Sequence, residues 1–159
     1  MVIDEGVLFR NNETAFVQTK RKLLEECNLW CIVSLPQNVF LNAGAASKTN
    51  LLFFTKGKST EKIWYYDLSN IKVLKKSPFT LDKFDDFFMR LNSKNKEDTI
   101  SERSWYIDIE TIKKKNYDMK ALNPNIKEKE ILPPEELIKI IEETQIKINE
   151  GLQKLKELT

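Results

Sequence analysis

The sequence predicts an α/β domain followed by one long amphipathic helix. Leu29–Ser34 is apolar on consecutive positions, Thr49–Thr55 reads as a second doubly buried strand around Leu51–Phe54, and a helical pattern stands directly before the first of them. A Pro-Pro-Glu-Glu start at residue 133 then precedes apolar residues at three-and-four spacing. A strand with one face in water alternates polar and apolar residues. A continuous run needs cover on both faces, which helices supply in a layered α/β body. At 159 residues there is room for one compact domain with an appendage, and 41% hydrophobic residues supply a core.

Met1-Val2-Ile3-Asp4 reads as the tail of a strand, and Val7-Leu8-Phe9 as an apolar trio held near the sheet edge. Asn11 or Asn12 caps a helix over about Glu13 to Cys27, with Phe16, Val17, Leu23, Leu24 and Cys27 on one stripe. Lys20-Arg21-Lys22 fall largely outside that stripe, as a solvated face or as phosphate contacts. Leu35-Pro36 ends the first apolar strand. The loop from Gln37 to Ser47 is rich in small residues that permit close backbone approach by a ligand. Lys56-Gly57-Lys58 closes the second strand, and Lys62–Leu68 is a third, aromatic-rich one. Thr80 caps a helix with Leu81, Phe84, Phe87, Phe88 and Leu91 as packing positions, and Asn92–Asp98 is a charged loop. Ser104–Ile107 is short and extended, and Asp108 caps a turn or two through Lys115.

The helix opened by Pro133-Pro134-Glu135-Glu136 has proline and acids where a first turn favours them and runs to about Leu158. Its 25 or so residues make it roughly 37 Å long, more than so small a domain needs. The stripe Leu137, Ile141, Thr144, Ile148, Leu152 and Leu155 is therefore expected to meet a partner chain or another domain as well as its own fold.

Composition excludes much chemistry. There is no histidine, which removes Ser-His-Asp and Cys-His catalysis and imidazole proton shuttles. Gly6, Gly44, Gly57 and Gly151 are too dispersed for a dinucleotide or P-loop cradle. Cys27 and Cys31 are two ligands without a third, so they read as reduced core thiols and no metal site is expected. With 26 Lys+Arg against 24 Asp+Glu the chain is no polycation, and any basic surface is local. No run approaches the ~18 apolar residues of a membrane span, and the start carries no signal pattern, which suits a soluble, cytoplasmic protein.

Several strings occur in a familiar order: Glu5-Gly6-Val7-Leu8-Phe9, Val33-Ser34-Leu35-Pro36-Gln37-Asn38-Val39-Phe40, Ala43-Gly44, and Lys48-Thr49-Asn50-Leu51-Leu52-Phe53-Phe54. Trp64-Tyr65-Tyr66-Asp67-Leu68, Trp105, Asn116-Tyr117-Asp118, Asn123-Pro124 and a Pro-Glu-Glu helix follow. Together they resemble the modification subunit of type I restriction-modification systems, an N6-adenine DNA methyltransferase. The resemblance implies the distal half of a Rossmann-like, seven-stranded methyltransferase sheet plus a C-terminal helical extension. Met1–Asp4 would be the remainder of strand five, Leu29–Ser34 strand six and Thr49–Thr55 strand seven, the last one antiparallel. Residues 1–70 would then be the distal part of the methyltransferase domain, 71–130 a mixed connecting region, and 131–159 the long amphipathic helix.

The family's aromatic-x-Gly-x-Gly loop for S-adenosylmethionine and its catalytic Asn/Asp-Pro-Pro-Phe/Tyr do not occur here. Asn123-Pro124 continues with Asn125, and Pro133-Pro134 lies between Leu132 and Glu135. The resemblance thus implies S-adenosylmethionine as cofactor of the intact subunit, no cofactor bound by this chain alone, no catalytic residue within it, and no methylation by it in isolation. An enzyme of this kind rotates its target adenine out of the duplex. Phe40 matches by position the aromatic that walls the extruded base, and is otherwise a buried anchor of its loop. Lys48 either meets DNA phosphate or stays in water. The implied partners are the DNA-specificity subunit, met through the C-terminal helix, other restriction-modification subunits, and DNA in the assembled complex. The unpaired strand at Met1–Asp4 could also pair two copies in a homodimer. Two alternatives remain open: a non-catalytic truncated subunit acting as an interaction module for the specificity subunit, and an unrelated nucleic-acid module using the Lys20-Arg21-Lys22 face.

Overall fold

The computed structural model describes residues 1–95, 97–120, 122–125 and 133–157, the side chains of residues 154, 155 and 157 excepted. It divides into two units, residues 1–126 and 127–159. The first holds a five-stranded sheet: β1 (Val2–Asp4), β2 (Cys27–Ser34), β3 (Thr49–Lys56), β4 (Lys62–Asp67) and β5 (Ser104–Asp108) in the order β1-β3-β2-β4-β5. β3 runs antiparallel to both β1 and β2, with Leu51 opposite Val2 and Leu52 opposite Ile32. β2 and β4 are parallel and β5 returns antiparallel to β4, so the sheet is mixed.

Both long strands are covered on two sides, as the apolar stretches Leu29–Val33 and Leu51–Phe54 require. One core gathers Leu8, Leu24, Leu29, Ile32, Leu52, Ile63, Tyr65 and Trp105; the other gathers Cys31, Val33, Leu35, Trp64, Tyr66, Leu68 and Phe87. A β-bulge between Leu29 and Cys31 adds one residue to β2, so Trp30 and Cys31 both pack with the second core. Thr60 completes the hydrogen bonding beside it. Its Oγ1 accepts from Leu29 N and donates to Cys27 O, both at 2.8 Å. The side-chain carbons of Tyr65 stack on Trp105 at 5.7 Å and 9°, and its hydroxyl donates to Met119 O.

Several local expectations need correction. Residues Glu5–Phe9, directly after the edge strand β1, are a short helix, α1, because Asp4 caps it by accepting from Gly6 N at 2.7 Å. The next helix, α2, spans Thr14–Glu26 with Glu13 at its N-cap position and no side-chain cap bond, so neither Asn11 nor Asn12 caps it; Cys27 already belongs to β2. Lys20 is 3% exposed and leaves the basic trio. Its ammonium donates to Leu8 O at 2.9 Å and Arg10 O at 2.8 Å, carbonyls at the end of α1 that helix geometry leaves without partners. A nucleic-acid face built on that trio therefore loses its first member, while Arg21 pairs with Glu25 at 2.8 Å and Lys22 with Glu26 at 3.9 Å.

Burial lowers the Lys20 pKa, partly offset by Asp118. The unfolded chain then holds more protons between that lowered value and an ordinary lysine pKa near ~10.4, so this residue makes stability rise with pH across that window. Lys20→Met is expected to cost about 2 kcal/mol at neutral pH, the usual scale for losing charge-assisted bonds to buried carbonyls, and to remove that alkaline rise. Urea titrations of both proteins at neutral pH and at pH near ~10 measure the two effects.

Beyond β4, Leu81–Phe84 form a 3-10 turn that leads into α3 (Asp85–Leu91). A single helix from Thr80 would place Leu81, Phe88 and Leu91 inside. The change of pitch instead leaves Leu81 73% exposed and Phe88 and Leu91 partly in solvent, while Phe87 is buried. Asp86 ties α3 to the sheet, accepting from Tyr66 Oη at 2.5 Å and Arg90 Nε at 2.8 Å. The Arg90 guanidinium holds that carboxyl below its usual range. The charged loop contains a 3-10 turn at Glu97–Thr99, and β5 continues into α4 (Ile109–Lys114) without a side-chain cap bond from Asp108.

In the second unit, α5 spans Pro134–Glu157. Pro133 O accepts from Glu136 N and Leu137 N, so a proline carbonyl starts the ladder while Pro134 needs no donor of its own. Leu137, Ile141, Ile148 and Leu152 are exposed, and Thr144 Oγ1 folds back to Ile140 O at 2.7 Å. The Leu155 side chain lies outside the described residues. No helix among them is long and apolar enough to cross a membrane.

Candidate functional site

The loop from β2 to β3, residues 35–48, carries both positions singled out for DNA. Leu35 N donates to Thr49 O at 3.0 Å, which clamps its two ends together. Inside, Leu41 N donates to Asn38 O at 3.0 Å, and Phe40 O accepts from Ala43 N at 2.9 Å and Ala45 N at 3.1 Å. This makes a 3-10 turn over Leu41–Ala43, closed by Gly44 at φ +82°, a left-handed conformation that favours glycine. Phe40 is half-buried and packs against the second core, so its backbone is fixed by the turn and its ring is seated at one side.

Lys48, at the other end of the loop, is half-buried. Its ammonium is 3.0 Å from Glu5 Oε1, and its carbonyl accepts from Glu5 N at 2.9 Å. The second carboxylate oxygen of Glu5 lies 3.9 Å from Lys120 Nζ. Lys48 is thus latched to the first turn of α1, and the loop's last residue is fixed relative to β1. Sequence reasoning did not assign Glu5 or Lys120 this part. Glu5 stood inside one of the quoted strings, but no spacing connects it to Lys120.

These three residues line a cavity of about 150 Å³, together with Ser34, Asn50 and Asp67 at one end of the sheet. Phe40 is not among its lining residues. Asn50 is buried, and its Nδ2, Thr49 Oγ1 and Trp105 Nε1 have no hydrogen-bond partner among the described residues.

Burial pushes the Cys31 thiol up, away from thiolate chemistry, and both cysteines are free. No group of residues among those described could hold a metal ion. The one glycine at a strand-to-helix turn, Gly6, has its amide taken by Asp4 Oδ1, and a Cβ there would meet that same oxygen at 2.8 Å.

A family model described as N-6 DNA methylase matches residues 1–131. The chain belongs to that family. It is similar to the EcoEI methylase subunit of a type I restriction enzyme from Escherichia coli, at 32% identity over 99% of this chain and 33% of the relative. The EcoKI methylase subunit from Escherichia coli K12 is 34% identical over 55% of the chain and 18% of the relative. Among solved structures, one from work on assembly and conformational transition of the type I restriction-modification system superposes with a TM-score of 0.71 at 36% identity, covering 99% of this chain and 34% of that one. The methyltransferase subunit from a Streptococcus thermophilus type I system shares the fold, with a TM-score of 0.59 at 23% identity over 78% of this chain and 25% of that one. The likeness to type I modification subunits read from the strings is the one these matches return. The chain spans about a third of the length of the EcoEI relative.

Proposed function

We propose that this chain supplies the distal, non-catalytic part of an S-adenosylmethionine-dependent DNA adenine-N6 methyltransferase of a type I restriction-modification system. The observation that carries the reading is the placement of β3, antiparallel between β1 and β2 with Leu52 opposite Ile32. This supports reading β1, β2 and β3 as the family's strands five, six and seven. The donor loop and the tetrapeptide that holds the adenine amino group belong to residues outside this chain. Phe40 is the wall for the extruded adenine, and the seated ring on a clamped loop supports that role. Lys48 acts through its ion pair with Glu5 to hold the loop, and reaches phosphate only if that pair opens.

The second unit supports a division of labour. Exposed Leu137, Ile141, Ile148 and Leu152 on α5 suit docking on the DNA-specificity subunit, which would leave sequence recognition to that partner, with DNA bound only in the assembled cytoplasmic complex. The same exposed stripe favours a second reading, a non-catalytic subunit kept for its partner helix. Calorimetry with S-adenosylmethionine tests the first reading on the 159-residue chain: no saturable heat is expected up to millimolar donor, and micromolar affinity would overturn it. Copurification with a specificity subunit fits both readings; a gain of DNA methylation when the rest of a modification subunit is supplied fits only the first.

A further inference from the structure

A second concave site lies at the opposite end of the strands from the Phe40 loop, and the methyltransferase reading has no use for it. Asn28 and Trp30 near the start of β2, Lys62 and Trp64 on β4, and Tyr106 on β5 line a cavity of about 290 Å³, with Lys58 and Glu61 at its rim. That volume is at the small end of ligand pockets, roughly 300 Å³. The bulge in β2 sets Trp30 on this side of the sheet, 5.3 Å from Phe53, and leaves it part-exposed. Its indole N–H has no hydrogen-bond partner among the described residues, nor does the Asn28 side chain, whereas Trp64 Nε1 is already committed to Thr99 O at 2.9 Å. Lys62 Nζ is 4.7 Å from the centroid of the Tyr106 ring, which places a cation against an aromatic wall. Glu61 is the one carboxylate in the lining, and it lies 3.8 Å from Lys58, so the lining carries net positive charge.

The geometry points to a nucleotide site: a base stacked on Trp30, its edge read by the Trp30 N–H and the Asn28 amide, its phosphate on Lys58 and Lys62. Aromatic faces take any base, and lysine at the rim selects the phosphate-bearing form over an uncharged aromatic. The same chemistry comes from a free mononucleotide or from an unpaired nucleotide of a DNA strand. The site does not depend on the chain being part of a methyltransferase.

The three tryptophans provide the test, since each contributes one indole cross-peak to a proton–nitrogen correlation spectrum of the labelled 159-residue chain. Deoxyadenosine 5′-monophosphate is expected to move the Trp30 peak saturably and leave Trp105, which belongs to the other core, in place. Deoxyadenosine should bind about tenfold more weakly. Lys58→Gln with Lys62→Gln should remove that difference while peak dispersion elsewhere reports an intact fold. A tetranucleotide binding more tightly than the monophosphate, with salt-dependent affinity, assigns the source to a DNA strand; equal affinity assigns it to the free nucleotide. No Trp30 shift at millimolar nucleotide, a shift of Trp105 instead, or equal binding with and without phosphate would overturn the site.

Discussion

Leu52→Ala is expected to lower the unfolding free energy of the first unit by about 3 kcal/mol, within the usual range for a buried leucine. Leu52 is 1% exposed, stands opposite Ile32 and belongs to the core that also holds Leu8, Leu24, Ile63 and Tyr65. Strands on either side and helices on that face leave little freedom to close the gap, so most of the cavity persists. For a domain of ordinary stability, roughly 5–15 kcal/mol, this is a large fraction, and Tm should fall by about 10 °C. Leu81→Ala is the control. A single helix from Thr80 would make Leu81 a core residue, but at 73% exposure it should change stability by less than ~0.5 kcal/mol. Parallel urea titrations measure both; equal losses would mean that Leu81 is buried in the folded protein.

Phe40→Ala should reduce methyl transfer by about 10- to 100-fold once the chain is set into a complete subunit. One base–aromatic stack contributes about 1–3 kcal/mol, and each 1.36 kcal/mol is a factor of ten in rate. The setting is a chimera in which this chain replaces the matching segment of the EcoEI methylase subunit, to which it is 32% identical. Phe40→Tyr keeps a ring in place and should keep most of the activity. A target adenine replaced by 2-aminopurine reads base extrusion directly: its fluorescence on binding should drop for Phe40→Ala and persist for Phe40→Tyr. If Phe40 only anchors its loop, Phe40→Ala lowers Tm with no change in 2-aminopurine signal at temperatures where the protein stays folded.

The sheet was legible because its central strands announce themselves. Within Leu29–Ser34 and Thr49–Thr55, Leu29–Val33 and Leu51–Phe54 put apolar side chains on both faces, so these strands had to lie under two layers, and the motif strings located the loop between them. What periodicity could not show was local competition. Asp4 can accept a backbone N–H two residues on, and that bond turns Val7-Leu8-Phe9 into a helix. Lys20 looks like surface in any hydropathy pattern; only the carbonyls of Leu8 and Arg10 at the end of α1 offset part of the cost of burying its ammonium. Leu81 keeps helical spacing from Phe84 and Phe88, yet one turn of tighter pitch rotates it outward. At the candidate site, Phe40 and Lys48 were visible as members of a motif. Their fastening was not, since Glu5, Lys48 and Lys120 come from three distant stretches of chain.

Transfer of labelled methyl groups by the unmutated chimera, purified with its specificity subunit, tests most directly whether this chain completes a methyltransferase whose reactive centre lies elsewhere. The expected result is N6-methyladenine in DNA carrying the recognition site, with the isolated 159-residue chain inert under the same conditions. A chimera that folds, binds S-adenosylmethionine and DNA, and yet transfers no methyl group would contradict it, as would transfer by the isolated chain.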